Sequence, residues 1–212
     1  MNSLCYPIIP SPDFLTEERA FVNWEDAFLD EEVLKIIQLG EFSQQNNGHV
    51  TGFSLDHLNE ETLKDIQNIR KCKVSWIEYQ NFPELYDKMG SLIRLINGQF
   101  FDLDLFGFVE PFQYTKYEAP DSHYVWHSDK YNQNGKNIVA PRKLSVVLQL
   151  SDANEYEGGQ LELNIGASEN ILIPKKKGLL CAFPSYILHR VTPVTAGIRR
   201  SLVCWVSGNR FR

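Results

Sequence analysis

Hydrophobic residues in the first hundred positions recur every three or four residues. Residues 30–39, residues 59–70 and the segment from Pro83 to about residue 97 each carry such a stripe on an otherwise polar surface. This spacing is typical of helices that bury one face, so the sequence predicts three amphipathic helices.

Residues at the ends of these segments predict where the helices begin and end. Asp30 is a predicted N-cap for the first helix, and Gly40 is its predicted terminator. Pro83 suits the first turn of the third helix, and Asn97-Gly98 is expected to end it.

From about residue 101 the pattern changes to short β-rich runs that are separated by turn residues. Helices followed by strands favour the α+β class, here a double-stranded β-helix (a jelly roll, cupin-like) with the N-terminal helices buttressing one sheet. We predict a single domain over residues 1–212, with helical support in 1–100 and the jelly-roll core in 101–212. The predicted strands are 101–108, 111–117, 122–129, 142–151, 159–165, 170–173, 178–184, 187–191 and 199–207, with a turn at 195–197 between the last two.

Composition narrows the class of protein. The formal net charge of -6 and the pI of about 5.4 make nucleic acid an unexpected partner, and the basic run at 175–177 is interpreted as a solvated turn. No apolar run is long enough for a membrane span, and the N-terminus lacks a basic signal-peptide region. Four cysteines without a C-x-x-C pair suit reduced thiols, so we expect a cytoplasmic location.

His127 and Asp129 are candidate metal ligands. Residues two apart on a strand project from the same face, so both side chains can reach one ion. His189 lies far along the chain, but two strands of a jelly roll can bring it close. Two imidazoles and a carboxylate are the ligand set of non-haem Fe(II) oxygenases. On these residues alone, a metal site and ordinary strand packing both stay open, and His123 is a further candidate ligand or a wall residue.

Arg199 is a candidate anion-binding residue. Strand alternation allows only one of Arg199 and Arg200 to point inward, and a buried guanidinium needs an anionic partner such as a dicarboxylate. Two exposed arginines are the alternative. Tyr117 and Tyr124 could each donate a phenolic hydrogen bond to a carboxylate, although strands are rich in tyrosine in any case.

The motifs YEAPDSHYVWHSD, GGQLEL and FPSYILHRVTPVTAGIRR resemble the prolyl 4-hydroxylase-like group of Fe(II)/2-oxoglutarate dioxygenases, and most closely its PKHD-type hydroxylases. The resemblance covers roughly residues 110–207. It implies a jelly roll, Fe(II), 2-oxoglutarate, O2 and often ascorbate. By position, His127, Asp129 and His189 match the iron ligands. Arg199 matches the residue that binds the distal carboxylate of 2-oxoglutarate, Tyr117 a residue that supports it, and Tyr124 another position of the motif.

The implied reaction is hydroxylation of an unactivated C–H bond, with a peptidyl proline as the first candidate substrate. A free amino acid or another small molecule is the alternative, and a non-catalytic cupin-like metal-binding barrel is a third interpretation. Two features depart from the family: Gln149 stands where some members have a second tyrosine, and the loop 130–141 has no counterpart. The sequence does not indicate an oligomeric state.

Overall fold

The computed structural model describes residues 19–48, 60–130 and 140–209. Its helices are α1 (Asp30–Phe42), α2 (Glu60–Ile69) and α3 (Pro83–Ile96). Within these ranges no helix is both long enough and apolar enough to cross a membrane. Most of the loop that departs from the family, residues 131–139, lies outside the described residues.

In the described part of the chain, thirteen strands accompany the helices, and all of their pairings are antiparallel. In chain order they are β1 (Val22–Trp24), β2 (Asn46–Asn47), β3 (Arg70–Lys71), β4 (Lys73–Ile77), β5 (Leu105–Gly107), β6 (Phe112–Glu118), β7 (Ser122–His127), β8 (Arg142–Gln149), β9 (Tyr156–Gly158), β10 (Leu161–Asn164), β11 (Ile171–Leu172), β12 (Leu180–Pro184) and β13 (Leu188–Gly208).

The strands form two sheets that share β13. The larger sheet has the order β1-β12-β8-β13-β6-β4-β2, and the smaller has the order β11-β10-β13-β7-β3 with β9 also paired to β13. This arrangement confirms the predicted α+β jelly roll.

Two hydrophobic clusters hold the layers together. One fills the space between the helices and the larger sheet, where Ile36 of α1 and Met89 of α3 are buried with Phe112 and Leu202. The other includes Phe183 and neighbours from both sheets. Because burial of apolar area is the main favourable term in folding, these clusters fix the position of the sheets and hence of the site.

The predicted turn at 195–197 is wrong, because β13 continues through it as one strand of 21 residues. Strand β9 pairs with this segment, placing Gly158 opposite Val194 and Tyr156 opposite Gly197. These backbone hydrogen bonds keep residues 195–197 within the strand, although their sequence, Thr-Ala-Gly, predicted a hairpin turn. The pairing with β9 shifts register between Val194 and Ala196, and Gly197 adopts a φ of 71°. A left-handed residue there lets β13 bend from one sheet into the other.

The predicted boundaries of the first helix need two corrections. The N-cap position is Leu29, whose backbone N–H donates to Glu32 at 2.7 Å, and Asp30 is already helical. Gly40 does not end the helix, which continues to Phe42. A Cβ at Gly40 would overlap the ring of Tyr114. Gly40 therefore allows α1 to pack closely on β6, and it does not end the helix.

Helix α2 spans nearly its predicted range. Helix α3 ends at Ile96, but Asn97-Gly98 does not end the helical segment, which continues as a π-helix over Asn97–Phe101. The predicted strand 101–108 is therefore shortened to Leu105–Gly107. Strands β1 to β4 and β9 are absent from the prediction. The five-residue strand β4 pairs with β6 in the larger sheet, and β3 pairs with β7 in the smaller one. The N-terminal segment therefore supplies strands to both sheets as well as helices.

We expect Gly40→Ala to destabilise the protein by up to about 2 kcal/mol. Alanine gains roughly 1 kcal/mol of helix propensity over glycine, but overpacking costs about 1–3 kcal/mol, and Tyr114 is fully buried with its hydroxyl held by Glu41 at 2.9 Å. Urea unfolding measures the change. Gly98→Ala is the control, because nothing lies within 4 Å of that position. Equal stability of the two variants would contradict the close-packing role.

Candidate metal and co-substrate site

The three predicted metal ligands converge. His127 ends β7, Asp129 follows it, and His189 lies on β13 directly opposite His127 in the strand register. The Nε2 atom of His127 is 3.8 Å from Asp129 Oδ1, and that of His189 is 3.4 Å from Asp129 Oδ2. One ligand atom from each residue lies within 4.8 Å of the others. In the described part of the chain, this is the one such cluster that could hold a metal ion.

Backbone carbonyls orient both imidazoles. His127 Nδ1 lies 2.8 Å from the carbonyl oxygen of Val125, and His189 Nδ1 lies 3.0 Å from that of Ile187. A carbonyl oxygen can only accept, so each Nδ1 carries the proton. Each Nε2 is then left with its lone pair for a metal, as is usual for histidine ligands.

Two serines hold Asp129, one at its carboxylate and one at its backbone. Its Oδ2 accepts a hydrogen bond of 2.8 Å from Ser145 Oγ, which lies 2.9 Å from Ser185 Oγ. The backbone N–H of Asp129 donates to the carbonyl oxygen of Ser185 at 2.9 Å. Ser145 therefore occupies one carboxylate oxygen and leaves Oδ1 available to an ion.

The charge states suit metal binding. Burial lowers the pKa of the His127 imidazole well below its ordinary value, and the neighbouring His189 lowers it further. Burial acts to raise the pKa of Asp129, but the two adjacent histidines outweigh that effect and lower it overall. At neutral pH the cluster therefore offers a neutral His127 imidazole together with an anionic carboxylate.

Arg199 lies in the same cavity of about 290 Å³ as the three ligands. Its side chain is only 1% exposed. Its guanidinium donates to two neutral oxygens, Ser201 Oγ at 3.3 Å and Gln149 Oε1 at 3.1 Å. No described carboxylate forms an ion pair with it, and its Nε has no hydrogen-bond partner. A buried charge left in this state is costly, so the cavity favours an anionic ligand.

Arg200 points the opposite way, which settles the choice that the sequence left open. Its Nε lies 3.1 Å from Glu41 Oε1 of α1, on the outer face of the sheet. Glu41 also accepts from Tyr114 at 2.9 Å and from Lys116 at 3.2 Å. Arg200 thus joins α1 to the larger sheet and takes no part in the cavity.

The two predicted tyrosines occupy different places. Tyr117 is buried on β6 opposite Arg199, whose guanidinium carbon lies 5.4 Å from its ring centroid. Tyr124 stacks on His127 with ring centroids 3.5 Å apart and an interplanar angle of 17°. Tyr124 therefore contacts a candidate metal ligand. His123 is not in the cluster, because its ring nitrogens face the carbonyl oxygens of Asp121 and Asn68.

Several cavity residues have no counterpart in the sequence-based prediction. Arg70 of β3, Trp76 of β4 and the pair Glu110 and Arg142 all line the cavity. Arg142 forms a bidentate ion pair with Glu110, with both distances 2.7 Å. No local motif marks these residues, since they reach the cavity only through strand pairing.

Residues 112–207 match the sequence profile described as the 2OG-Fe(II) oxygenase superfamily. The match includes the three converging ligands and Arg199. The strand-rich half of this chain is therefore similar in sequence to the 2OG-Fe(II) oxygenase superfamily.

Comparisons with individual members agree with this assignment. A PKHD-type hydroxylase of Synechococcus sp. (strain CC9605) is 37% identical over 84 residues, which are 39% of this chain and 36% of that protein. Matches to the first three curated relatives span between 28% and 36% of their lengths.

Solved structures extend the similarity to the fold of almost the whole chain. A prolyl-4-hydroxylase of Pseudomonas putida aligns with a TM-score of 0.67 at 19% identity, over 91% of this chain and 94% of its own. A prolyl hydroxylase of Trichoplax adhaerens, in complex with a peptide fragment of the hypoxia inducible factor oxygen degradation domain, aligns with a TM-score of 0.64 at 21% identity, over 89% and 84%. At these identities the similarity establishes the jelly-roll fold.

We expect the Glu41 contacts to make stability depend on pH. Burial acts to raise the pKa of Glu41, but hydrogen bonds from Tyr114, Arg200 and Lys116 outweigh it and lower the pKa to about 2 from an ordinary value of 4.5. A lowered folded-state pKa stabilises the protein fully above about pH 4.5, and this stabilisation is lost as the pH falls toward 2.

The measurement is urea unfolding of the wild type and Glu41→Gln at pH 7, 4 and 3. The variant should lose about 1 kcal/mol at pH 7, and the difference between the two proteins should shrink as the pH falls. Glu169→Gln, at an exposed carboxylate, is the matched control. A difference that is constant with pH would rule out this role for Glu41.

Proposed function

We propose that this chain is a dioxygenase that uses Fe(II), 2-oxoglutarate and O2 to hydroxylate an unactivated C–H bond, with release of succinate and CO2. One observation carries the proposal. A buried guanidinium without a described carboxylate partner lies in the same cavity as a His–Asp–His cluster. A cavity that offers a cation site and an anion site together matches a metal-bound dicarboxylate.

His127, Asp129 and His189 would hold the iron. The donor set is chemically suitable, because two imidazoles and one carboxylate leave coordination positions open for other ligands. No cysteine belongs to the cluster in the described residues, whereas structural zinc sites are closed and often rich in cysteine.

Arg199 would bind the distal carboxylate of 2-oxoglutarate, with Tyr117 beside it. Ser201 and Gln149 are uncharged, so they orient the guanidinium without neutralising it. Gln149 is itself held, since its Nε2 donates to the hydroxyl of Tyr156 at 2.7 Å. An arginine restrained in this way loses little side-chain freedom when a carboxylate arrives.

When bound, iron and 2-oxoglutarate supply, with O2, the oxidising power for the reaction. The protein contributes orientation and a sheltered cavity. Ser145 keeps Asp129 in one orientation, and the walls at Val203 and Trp205 limit the access of water. Trp205 is 7% exposed and packs under the guanidinium of Arg142, 3.6 Å from its ring centroid.

A non-catalytic metal-binding barrel is the competing interpretation, and a spectroscopic titration separates the two. Anaerobic addition of Fe(II) and 2-oxoglutarate should produce a visible metal-to-ligand charge-transfer band, which His189→Ala should abolish. Arg199→Ala should raise the 2-oxoglutarate concentration that half-saturates the band by about 100-fold, since a charge-assisted contact of roughly 3 kcal/mol is lost.

Arg200→Ala is the matched control, because the neighbouring arginine faces Glu41. It should leave the half-saturating concentration within about twofold, a difference of roughly 0.4 kcal/mol. Absence of the band in the wild type would favour the non-catalytic barrel, and equal effects of the two substitutions would remove Arg199 from the co-substrate site.

A peptidyl proline is the proposed substrate. Trp76 and Trp205 line the cavity with ring centroids 6.4 Å apart, and aromatic walls are a common surface for binding proline-containing peptides. The structural neighbours described as prolyl hydroxylases support the same choice. Ascorbate is proposed as an accessory reductant.

A succinate-release screen tests the substrate. We expect a proline-rich peptide to stimulate succinate formation at least tenfold over the same peptide with alanine in place of proline, and ascorbate to prolong turnover. Free proline and other amino acids form the comparison arm. Stimulation by free amino acids alone would favour the small-molecule alternative.

A further inference from the structure

The imidazole of His127 is the less enclosed of the two histidine ligands. Its side chain is 16% exposed, against 7% for His189. Its hydrogen bond to Val125 orients the ring, but a single hydrogen bond tolerates a range of angles, so rotation about the Cβ–Cγ bond is restrained and not locked. A metal needs the Nε2 lone pair, which lies in the ring plane. A contact on the ring face would therefore narrow the range of planes that His127 adopts.

Tyr124 supplies that contact. Its ring lies nearly parallel to the imidazole, with centroids 3.5 Å apart. His189 has a different environment, since its ring meets Phe183 at 61° with centroids 4.9 Å apart and is enclosed by the core. Of the two histidine ligands, only His127 has a stacked ring neighbour among the described residues, and its contact with the His189 ring is tilted, at 52°.

Arg70 lies over Tyr124 in turn. The two residues are direct partners in the β3–β7 register, and the guanidinium carbon of Arg70 is 4.7 Å from the Tyr124 ring centroid. Arg70 is 8% exposed, and its Nε donates to Cys72 Sγ at 3.1 Å. A guanidinium held over an aromatic face attracts the ring, more strongly where water is excluded.

We propose that Arg70 is a positioning residue of the metal site, which acts through Tyr124 to fix the plane of His127. The inference rests on the proposed function for the identity of the ion, but not for the geometry. It assigns to the N-terminal segment a role in metal binding as well as in support. Residues Arg70, Tyr124 and His127 are here called the stack.

Through-space electrostatics predicts the opposite effect of removing Arg70. A positive charge near a dication repels it, so loss of this charge alone should tighten metal binding. Loss of a positioning contact should weaken it, and changes in the residues that orient metal ligands typically cost 10- to 100-fold in affinity. The direction of the change therefore distinguishes the two effects.

The experiment is a titration of the metal-free full chain with Co(II) alone, followed by visible absorption, without 2-oxoglutarate or turnover. We expect Arg70→Met to raise the Co(II) dissociation constant about tenfold or more. Tyr124→Leu should have a similar effect, and Tyr124→Phe, which keeps the stacked ring, should bind as the wild type does. Lys71→Met is the control, because this neighbouring charge contacts the carbonyl oxygen of Pro120 and lies outside the stack.

A double-mutant cycle tests whether Arg70 acts through the ring. In a Tyr124→Leu background, Arg70→Met should produce no further loss, since coupled residues are not additive. An undiminished effect there, or Co(II) affinity that is unchanged or tighter in Arg70→Met, would overturn the proposal. Arg70→Lys keeps a charge without the planar group and should give a smaller loss than Arg70→Met. If Arg70→Met does not fold, Arg70→Lys tests the positioning role in its place. Co(II) affinity equal to that of the wild type in Arg70→Lys would then contradict the role of Arg70.

The outcomes also separate this inference from the proposed function. A wild-type chain that binds no Co(II) would count against the metal site itself. A wild-type chain that binds Co(II) and forms the charge-transfer band, with an Arg70→Met variant of equal affinity, would remove only the role of Arg70.

Discussion

Strand β13 pairs with β7 in the smaller sheet and with β6 and β8 in the larger one, and the candidate site depends on both pairings. The first places His189 opposite His127, and the second places Arg199 opposite Tyr117. Because a single extended segment carries both residues, the cation site and the anion site share one cavity.

The burial of charged side chains determines what this cavity can bind. Asp129 and Arg199 are both almost fully buried, and each is restrained by uncharged hydroxyl or amide groups. Neutral partners hold a charged side chain in place without cancelling its charge. Arg200 differs from Arg199, because it forms an ion pair with Glu41 that attaches α1 to the sheet. Adjacent arginines on one strand thus have separate roles because successive side chains face opposite sides.

The N-terminal segment does more than cover the larger sheet. Gly40 allows α1 to approach Tyr114 closely, which brings Glu41 within reach of the sheet. Strand β3 then delivers Arg70 to the cavity beside Tyr124. The N-terminal segment therefore contributes both to core packing, through α1, and to the cavity, through β3. The superfamily profile nevertheless matches only the strand-rich half of the chain.

Residue patterns and the family resemblance were enough to predict the α+β class and to select the H-x-D pair, the distal histidine and Arg199 as candidate site residues, because strand alternation and helical spacing are local properties. The fold was needed to establish that Arg199 and not Arg200 faces the cavity, that β13 runs through residues 195–197, that Gly40 allows close packing, and that Arg70 and Ser145 lie beside the ligands. These features arise from contacts between segments that are distant in sequence, which no local pattern records. Backbone hydrogen bonds to β9 outweigh a local turn preference, and a two-residue strand such as β3 is too short to leave a periodic pattern.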